Sequence, residues 1–490
     1  MTVQTDTIDA RAAAVSGRSK PAAGNDSAAV ARAADKLRER WPARKIVAKA
    51  HRRFYLSTFT KYCIALILAS AWLVFSIRLS LPWEHDLADL IGTPLALFIL
   101  IFVAYIPGLM NMFVVVTMIS DRRPHRHTLE NYPPVSVLVA CYNEGEHIRD
   151  TLISLSKESY SGKLEIIVID DGSRDNSLAI ARATAAELQR ANVRIRVLSM
   201  KKNGGKAAAL NYGLARSSSE LIVTVDDDTR LNRSALSCIV ERFISDPPGT
   251  VAVAGTVFVG NAHKNLLCQM QKWDYFHSIA AVKRMQSMYH GTLVAQGAFS
   301  LYTRRVLQSV GGWPECIGED IVLTWSILAQ GHRVGYCESS IVFTNVPETI
   351  KQFARQRQRW SRGLVEAFHR HWRLLFRRRL TTIFIWWNLL FLPMDVAYTF
   401  AFIPGVILAL FGYYHIAGPM TLIMLPAALL CHFMMFRLQA RLLNRHEMSM
   451  EHRWRGLFLF ATSYSMLLQP VCVWGYIQEI FKMRKTWGTK

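Results

Sequence analysis

Paired cysteines are absent from this sequence. Its eight cysteines are scattered and none forms a Cys-x-x-Cys pair, which argues against both a zinc site and a disulfide framework. Cys63, Cys431 and Cys472 fall in apolar runs and read as small hydrophobes. Acidic residues are scarce, 36 against 58 lysines and arginines, for a net charge of +22. A surplus of that size suits nucleic acid or the cytoplasmic face of a membrane. The chain is 51% hydrophobic, with its apolar residues in long runs, so the membrane is the expected partner and nucleic acid is not. Residues 1–45 have no sustained apolar face and lack the apolar core of a signal peptide. They are expected to form a disordered basic tail with room for a short helix over 28–40.

What is present begins with two apolar stretches, residues 62–77 (extendable to Trp83) and 90–119. Each is long enough to span a bilayer, which takes about 20 apolar residues. Pro94, Pro107 and Gly108 predict a tilt or kink in the second. The loop between them holds Glu84, Asp86 and Asp89, while Arg44, Lys45, Lys49, Arg52, Arg53, Arg122, Arg123 and Arg126 lie outside the pair. The positive-inside bias then puts both flanks in the cytoplasm. Further on, residues 383–410, 420–436 and 457–480 are candidate spans, with the costly Asp395 inside the first. The expected organisation is a tail (1–45), a membrane region with two helices (46–130), a cytoplasmic domain (131–350), an amphipathic interfacial helix (351–380) and about three more spans (381–490). That describes a multi-pass inner-membrane protein. Three final crossings would leave Lys482, Arg484 and Lys485 outside, against the same bias, so the side of that stretch stays open.

From Pro133 the character changes. Apolar runs over 135–141, 164–169, 194–198 and 221–225 alternate with helical patterns over 148–156, 178–191 and 207–215. The strands are mostly apolar rather than alternating with period two, as in a parallel sheet covered on both faces. Their ends are polar. Val223-Thr-Val-Asp-Asp-Asp-Thr finishes a strand with Asp226, Asp227 and Asp228, whose charges repel. A hard divalent cation, Mg²⁺ or Mn²⁺, would relieve that conflict and complete its shell with substrate phosphates. A solvated acidic loop is the plain alternative. Tyr142-Asn-Glu144 and Asp170-Asp-Gly-Ser stand at two other strand ends. Their carboxylates can accept hydrogen bonds from a base or ribose, although turns use the same residue types.

Two clusters follow. Glu319 and Asp320 stand where a helix could start. An acidic first turn suits the helix dipole, but sugar transfer to a hydroxyl with inversion needs a base, and Asp320 is the candidate. Gln356-Arg-Gln-Arg-Trp360 opens a stripe of Trp360, Leu364, Phe368 and Trp372, with arginines elsewhere on the wheel. That is an amphipathic basic helix, and membrane docking accounts for it from Leu364 onward. The planar fork of Arg359 also suits a diphosphate, and the Trp360 face suits a sugar ring.

Taken in order, Tyr142-Asn-Glu, Asp170-Asp-Gly-Ser, Gly205-Lys-Ala, Asp226-Asp-Asp, Gly318-Glu-Asp and Gln356-Arg-Gln-Arg-Trp resemble the membrane-embedded family 2 glycosyltransferases of the processive type. These are the synthases of poly-N-acetylglucosamine, chitin oligosaccharide, hyaluronan and cellulose. The resemblance covers residues 133–376 and the flanking membrane segments. It implies a GT-A-type α/β fold, an open, mostly parallel sheet inserted between transmembrane helices. It implies that Tyr142, Glu144, Asp170, Lys206, Asp226 and Asp227 bind a UDP-sugar and that Asp228 binds the metal. Asp320, with Glu319 beside it, would be catalytic, and Gln356, Arg359 and Trp360 would hold the diphosphate and acceptor. Asp227 stands where relatives often have a small residue.

The implied activity is inverting, processive elongation of a β-linked polysaccharide that leaves through the membrane. Glu319-Asp-Ile-Val-Leu-Thr-Trp is closest to the poly-N-acetylglucosamine synthases, which favours UDP-N-acetylglucosamine. Chitin, hyaluronan or β-glucan synthesis, a non-processive glycolipid transferase, and a non-enzymatic membrane scaffold or nucleotide sensor are the alternatives. The expected partners are the UDP-sugar, the growing polysaccharide, membrane lipid and a small accessory membrane subunit. Arg437-Leu-Gln-Ala-Arg441 has the Arg-x-x-x-Arg spacing of cyclic-di-GMP receptors. It lacks the companion Asp-x-Ser-x-x-Gly, and cytoplasmic positive charge accounts for it.

Overall fold

The structure is a computed structural model that describes residues 25–41, 56–121, 127–418, 429–430, 432–434, 436–437 and 454–484. Its first element corrects the expectation of a disordered tail up to residue 45. Helix α1 (Asn25–Arg40) is formed and docked on the central domain. Alanine-rich sequence favours helix, and Val30 and Ala34, one turn apart, are both buried. Arg38 Nε donates to Phe243 O at 3.0 Å, and its guanidinium lies over the Phe243 ring. Ser27 Oγ donates to Gln330 O at 2.6 Å. Alanine forms much of the buried face, so the helix carries no conspicuous apolar stripe in its sequence. The remainder of the expected tail, 1–24 and 42–45, lies outside the described residues.

Two apolar helices follow, α2 (Thr58–Ile91) and α3 (Thr93–Ile119), each long enough to cross a membrane. A π-helical turn, Ile101–Tyr105, interrupts α3 just before Pro107. Proline lacks the N–H that the regular helical ladder requires, and such turns absorb the mismatch.

The domain is built as the apolar runs require. Strands β1 (Val135–Cys141), β2 (Leu164–Asp170), β3 (Val193–Ser199) and β4 (Leu221–Asp226) are joined by α4 (Ile148–Ser156), α5 (Ser177–Glu187) and α6 (Lys206–Arg216). Then come β5 (Arg230–Leu231), α7 (Ala235–Ser245), β6 (Thr250–Val259), β7 (Phe299–Thr303) and β8 (Arg333–Thr344). The sheet order is β3-β2-β1-β4-β7-β6-β8-β5. Strands β3, β2, β1 and β4 pair in parallel. Strand β7 is antiparallel to both β4 and β6, and β5 is antiparallel to β8. The sheet is therefore mixed, with the expected parallel half on one side. The chain reverses direction across the sheet between β1 and β4, and open α/β sheets bind ligands at such a point.

Between β6 and β7 lies α8 (266–288), whose middle turn, Tyr275–Ala281, is π-helical. Helix α9 (Arg304–Ser309) and α10 (Glu319–Ala329) precede β8, and α11 (Ile350–His371) follows it. Two further apolar helices, α12 (Thr382–Leu410) and α13 (Trp454–Ile480), complete the four described helices able to span a membrane. The expected span over 420–436 falls mostly outside the described residues, as do the basic flanks 44–53 and 122–126.

Candidate active site

The loops after β1, β2 and β4 meet at the carboxyl edge of the sheet. After β1, Asn143 adopts a left-handed conformation, φ 54°. Its N–H donates to Ser173 Oγ at 3.0 Å, and its Oδ1 accepts from Arg174 N at 2.8 Å. Glu144 N donates to Ser177 Oγ at 2.8 Å. The Tyr142 turn is thus laced to the loop after β2. There the two aspartates divide the work. Asp171 accepts from Gly204 N and Gly205 N, both at 2.8 Å, and so holds the glycine loop ahead of α6. Asp170 is 2% exposed, and its Oδ1 has no partner. A buried carboxylate oxygen without a donor is costly, and it suits an N–H or O–H from a ligand.

Lys206 is the first residue of α6. Its Nζ pairs with Asp226 and stands 3.9 Å from Glu319 Oε1. Burial works against the ammonium, but Asp226 and Glu319 outweigh it and raise the pKa. Asp227 Oδ2 accepts from Tyr142 N at 3.3 Å, and its carbonyl accepts from Thr151 Oγ1 at 2.8 Å. Asp228 Oδ1 accepts from Thr344 Oγ1 at 2.9 Å, at the end of β8. Burial, and then the neighbouring acids Asp228, Glu144 and Asp226, hold Asp227 well above the usual carboxylate range. Burial followed by Asp226 pushes Asp228 up to about 6.

The N-terminus of α10 faces the same acids. Burial brings Glu319 up to about 7, with Lys206 opposing and Asp320 adding to the rise. Asp320 Oδ1 accepts from Ile321 N at 2.7 Å and Oδ2 from Gly297 N at 3.4 Å. Behind it, Lys283 Nζ donates to Val294 O at 2.9 Å and to Gln296 Oε1. Burial lowers this lysine to about 7, against the pull of Asp320.

Helix α11 closes the cleft. A capping box formed by Thr349 and Gln352 starts it. Gly363 meets Gly318 so closely that a Cβ on either would lie under 3 Å from the other backbone. Gly318 N also donates to Glu366 Oε2 at 3.1 Å. Arg362 pairs with Glu479 of α13 at 3.0 Å, tying α11 to that apolar helix. Arg359 lies in the field of Glu319, Asp226 and Asp320, and burial lowers its pKa against them. Its Nε and the Oε1 of Gln356, one turn earlier, are buried without partners. Trp360 is 43% exposed, and its ring lies 6.2 Å from that of Tyr275.

Tyr142, Glu144, Lys206, Asp226, Asp227, Asp228, Glu319, Asp320 and Arg359 therefore share one cleft. Asp170 lies beside it at the end of β2, and Trp360 lies beyond Tyr275. Sequence reasoning missed Tyr275, which feels Asp228 and Asp226 electrostatically, together with Thr344, Gly297 and Lys283. The aromatic run from Trp273 to Phe276 was the one available signal. Among the described residues, no three His, Cys, Asp or Glu side chains are grouped to hold a metal ion by themselves. An oxygen donor set centred on Asp228 fits a hard cation that takes the rest of its shell from phosphate and water rather than from a protein cage.

A parallel β3-β2-β1-β4 half extended by an antiparallel strand, with acids at the end of β4, defines a GT-A glycosyltransferase. The solved mannosyltransferase PcManGT from Pyrobaculum calidifontis, in complex with GDP-Man and Mn²⁺, has this fold. It matches with a TM-score of 0.55 over 80% of this chain and 100% of its own, at 19% identity. The poly-β-1,6-N-acetyl-D-glucosamine synthase of Staphylococcus aureus (strain COL) is 31% identical over 273 residues, 54% of this chain and 64% of the synthase. The synthase of the same name from Staphylococcus epidermidis is 33% identical over 249 residues, 50% of this chain and 58% of the relative. The matches thus span somewhat under two thirds of these relatives. Residues 133–363 match the family described as Glycosyltransferase like family 2, and the chain carries a family 2 glycosyltransferase domain.

Proposed function

We propose that the protein is an inverting, processive β-glycosyltransferase that elongates a polysaccharide from UDP-N-acetylglucosamine. The observation that carries this is the convergence of Asp228, Asp320 and Arg359 on one cleft, although they are far apart along the chain. The sugar follows from the names of the relatives, whose sequences match half of this chain.

Each residue then has a task. The open oxygen of Asp170 accepts a hydrogen bond from the nucleoside, and Lys206 neutralises Asp226 beside the donor. Arg359 faces the departing diphosphate with its unpartnered Nε and stabilises the charge that develops there. Asp228 would hold Mg²⁺ or Mn²⁺, which when bound supplies electrophilic stabilisation of the leaving group. Asp320 takes the proton of the acceptor hydroxyl as the new bond to the anomeric carbon forms and the bond to UDP breaks. Trp360 stacks on the acceptor sugar. The cytoplasmic domain passes the chain to the membrane helices, with lipid around them and a small accessory subunit as a further partner.

Replacing Asp320 with Asn is expected to abolish sugar transfer while UDP binding stays measurable, and wild-type turnover in that variant would refute the assignment. UDP release by the purified protein against a panel of UDP-sugars identifies the donor. Digestion of the product with linkage-specific glycosidases identifies the bond, and product size separates a polymerase from a glycolipid transferase.

A further inference from the structure

Arg357, the second residue of the Gln356-to-Trp360 run, faces away from the carboxylates and has no task in the mechanism above. It is 4% exposed and pairs with Asp274, itself 3% exposed, at 2.8 Å. The same carboxylate oxygen accepts a hydrogen bond from Tyr464, whose hydroxyl donates to Oδ2 at 2.8 Å. Three elements meet here: α8 of the catalytic domain, α11 and the membrane helix α13. Two of them are π-helical at the contact. Asp274 immediately precedes the π turn Tyr275–Ala281, and Tyr464 ends the π turn Phe460–Tyr464. Such turns often mark functional sites.

The arrangement has a direction. The Arg357 guanidinium lies over the Trp360 ring, 4.2 Å from its centroid, and closer to it than to Phe353 at 5.2 Å. A cation over an indole fixes the plane of the ring. One face of Trp360 is thus covered by a buried charge, while the residue stays 43% exposed. Tyr275, next to Asp274 in the chain, brings its ring to 6.2 Å from Trp360. Stability does not account for the pair, because a buried ion pair is often no better than packed apolar side chains.

We propose that Asp274, Arg357 and Tyr464 are positioning residues that hold Trp360 and Tyr275 as a platform for the acceptor sugar and link that platform to the membrane helix. The inference rests on the reading of Trp360 as the acceptor contact. It assigns control of acceptor binding and product length to a bond made with α13.

The test compares full-length wild-type protein with Tyr464→Phe, Asp274→Asn and Arg357→Lys in detergent. The probes are UDP-N-acetylglucosamine as donor and a soluble N-acetylglucosamine oligosaccharide as acceptor. Tyr464→Phe loses one hydroxyl and keeps its packing, so the protein folds. It is expected to raise the acceptor KM about fivefold and shorten the product, with the donor KM unchanged. Asp274→Asn is expected to raise the acceptor KM about 10- to 100-fold, and Arg357→Lys, which keeps the charge, to fall between it and wild type. Wild-type acceptor KM and product length in both Tyr464→Phe and Asp274→Asn would overturn the proposal. So would a parallel rise in both KM values, which is what general loosening of the cleft gives. Absence of UDP release by wild-type protein from any UDP-sugar would instead overturn the glycosyltransferase reading, and this inference with it.

Discussion

Asp227 accepts a hydrogen bond from Tyr142 N at 3.3 Å on its carboxylate and one from Thr151 Oγ1 at 2.8 Å on its carbonyl. Both bonds come from elements that follow β1, so the residue ties the loop after β4 to the Tyr142 turn and to helix α4. Asp228 is bonded to Thr344 at the far side of the cleft. The two neighbours therefore answer differently to loss of charge. Asparagine at 227 keeps an acceptor for Tyr142 N and removes a repulsive charge from a crowded site. Asparagine at 228 removes the carboxylate assigned to the metal. Activity in Asp227→Asn is expected to stay within about threefold of wild type, because the hydrogen bond survives. Asp228→Asn is expected to lose on the order of 100-fold or more. Steady-state UDP release measures both, and equal losses would mean that the middle carboxylate also touches the donor.

At the scale of elements, Asp320 and Arg359, the proposed base and diphosphate arginine, lie on different helices that meet closely at Gly318 and Gly363. A Cβ added to Gly363 would stand 2.7 Å from Gly318 Cα. Gly363→Ala must therefore push α11 away from the start of α10, separating Arg359 from Asp320. Misplacement on the scale of an ångström costs about 100-fold in rate when reacting groups must align. The expected outcome is a large fall in kcat together with weaker UDP binding, measured by turnover and by titration with UDP. An unchanged kcat would show that the helices slide without cost.

This contact also marks where the sequence stops being informative. Strands β1, β2 and β4 were legible because each is a buried apolar run that ends abruptly in polar residues, whereas β3, at the sheet edge, alternates Arg194 and Arg196 with apolar residues and is only partly buried. Asp320 and Arg359 were legible through short motifs whose order is distinctive. Strands β6 and β7 were not, because β7 enters the sheet against the direction of β4 and its partners are remote in sequence. Tyr275 and Lys283 reach the cleft only through α8, whose π turn has no local sequence signature.

At the scale of the whole molecule, a cleft full of buried acids strains the fold that holds it. Asp228 is raised from an ordinary 3.8 to about 6 by burial and by Asp226. A carboxyl that holds its proton more tightly when folded stabilises the fold while protonated. That contribution is complete below the unfolded value near 4 and is lost as pH rises through about 6. Its size is on the order of 3 kcal/mol. Buried imidazoles such as His332, lowered by burial, titrate with the opposite sign, so the overall pH profile mixes both trends. Asp228→Asn isolates one of them, because the imidazoles are the same in variant and parent. In ligand-free protein the variant should melt higher than the parent at both pH values, by about half as much at pH 5 as at pH 7.5, where the difference reaches several degrees. Mn²⁺ with UDP should then raise the wild-type melting temperature at pH 7.5 and leave the variant nearly unmoved, since only a folded site that binds ligand is stabilised by it. A variant that melts at or below the parent at pH 7.5 would mean that Asp228 is not strained in the empty cleft.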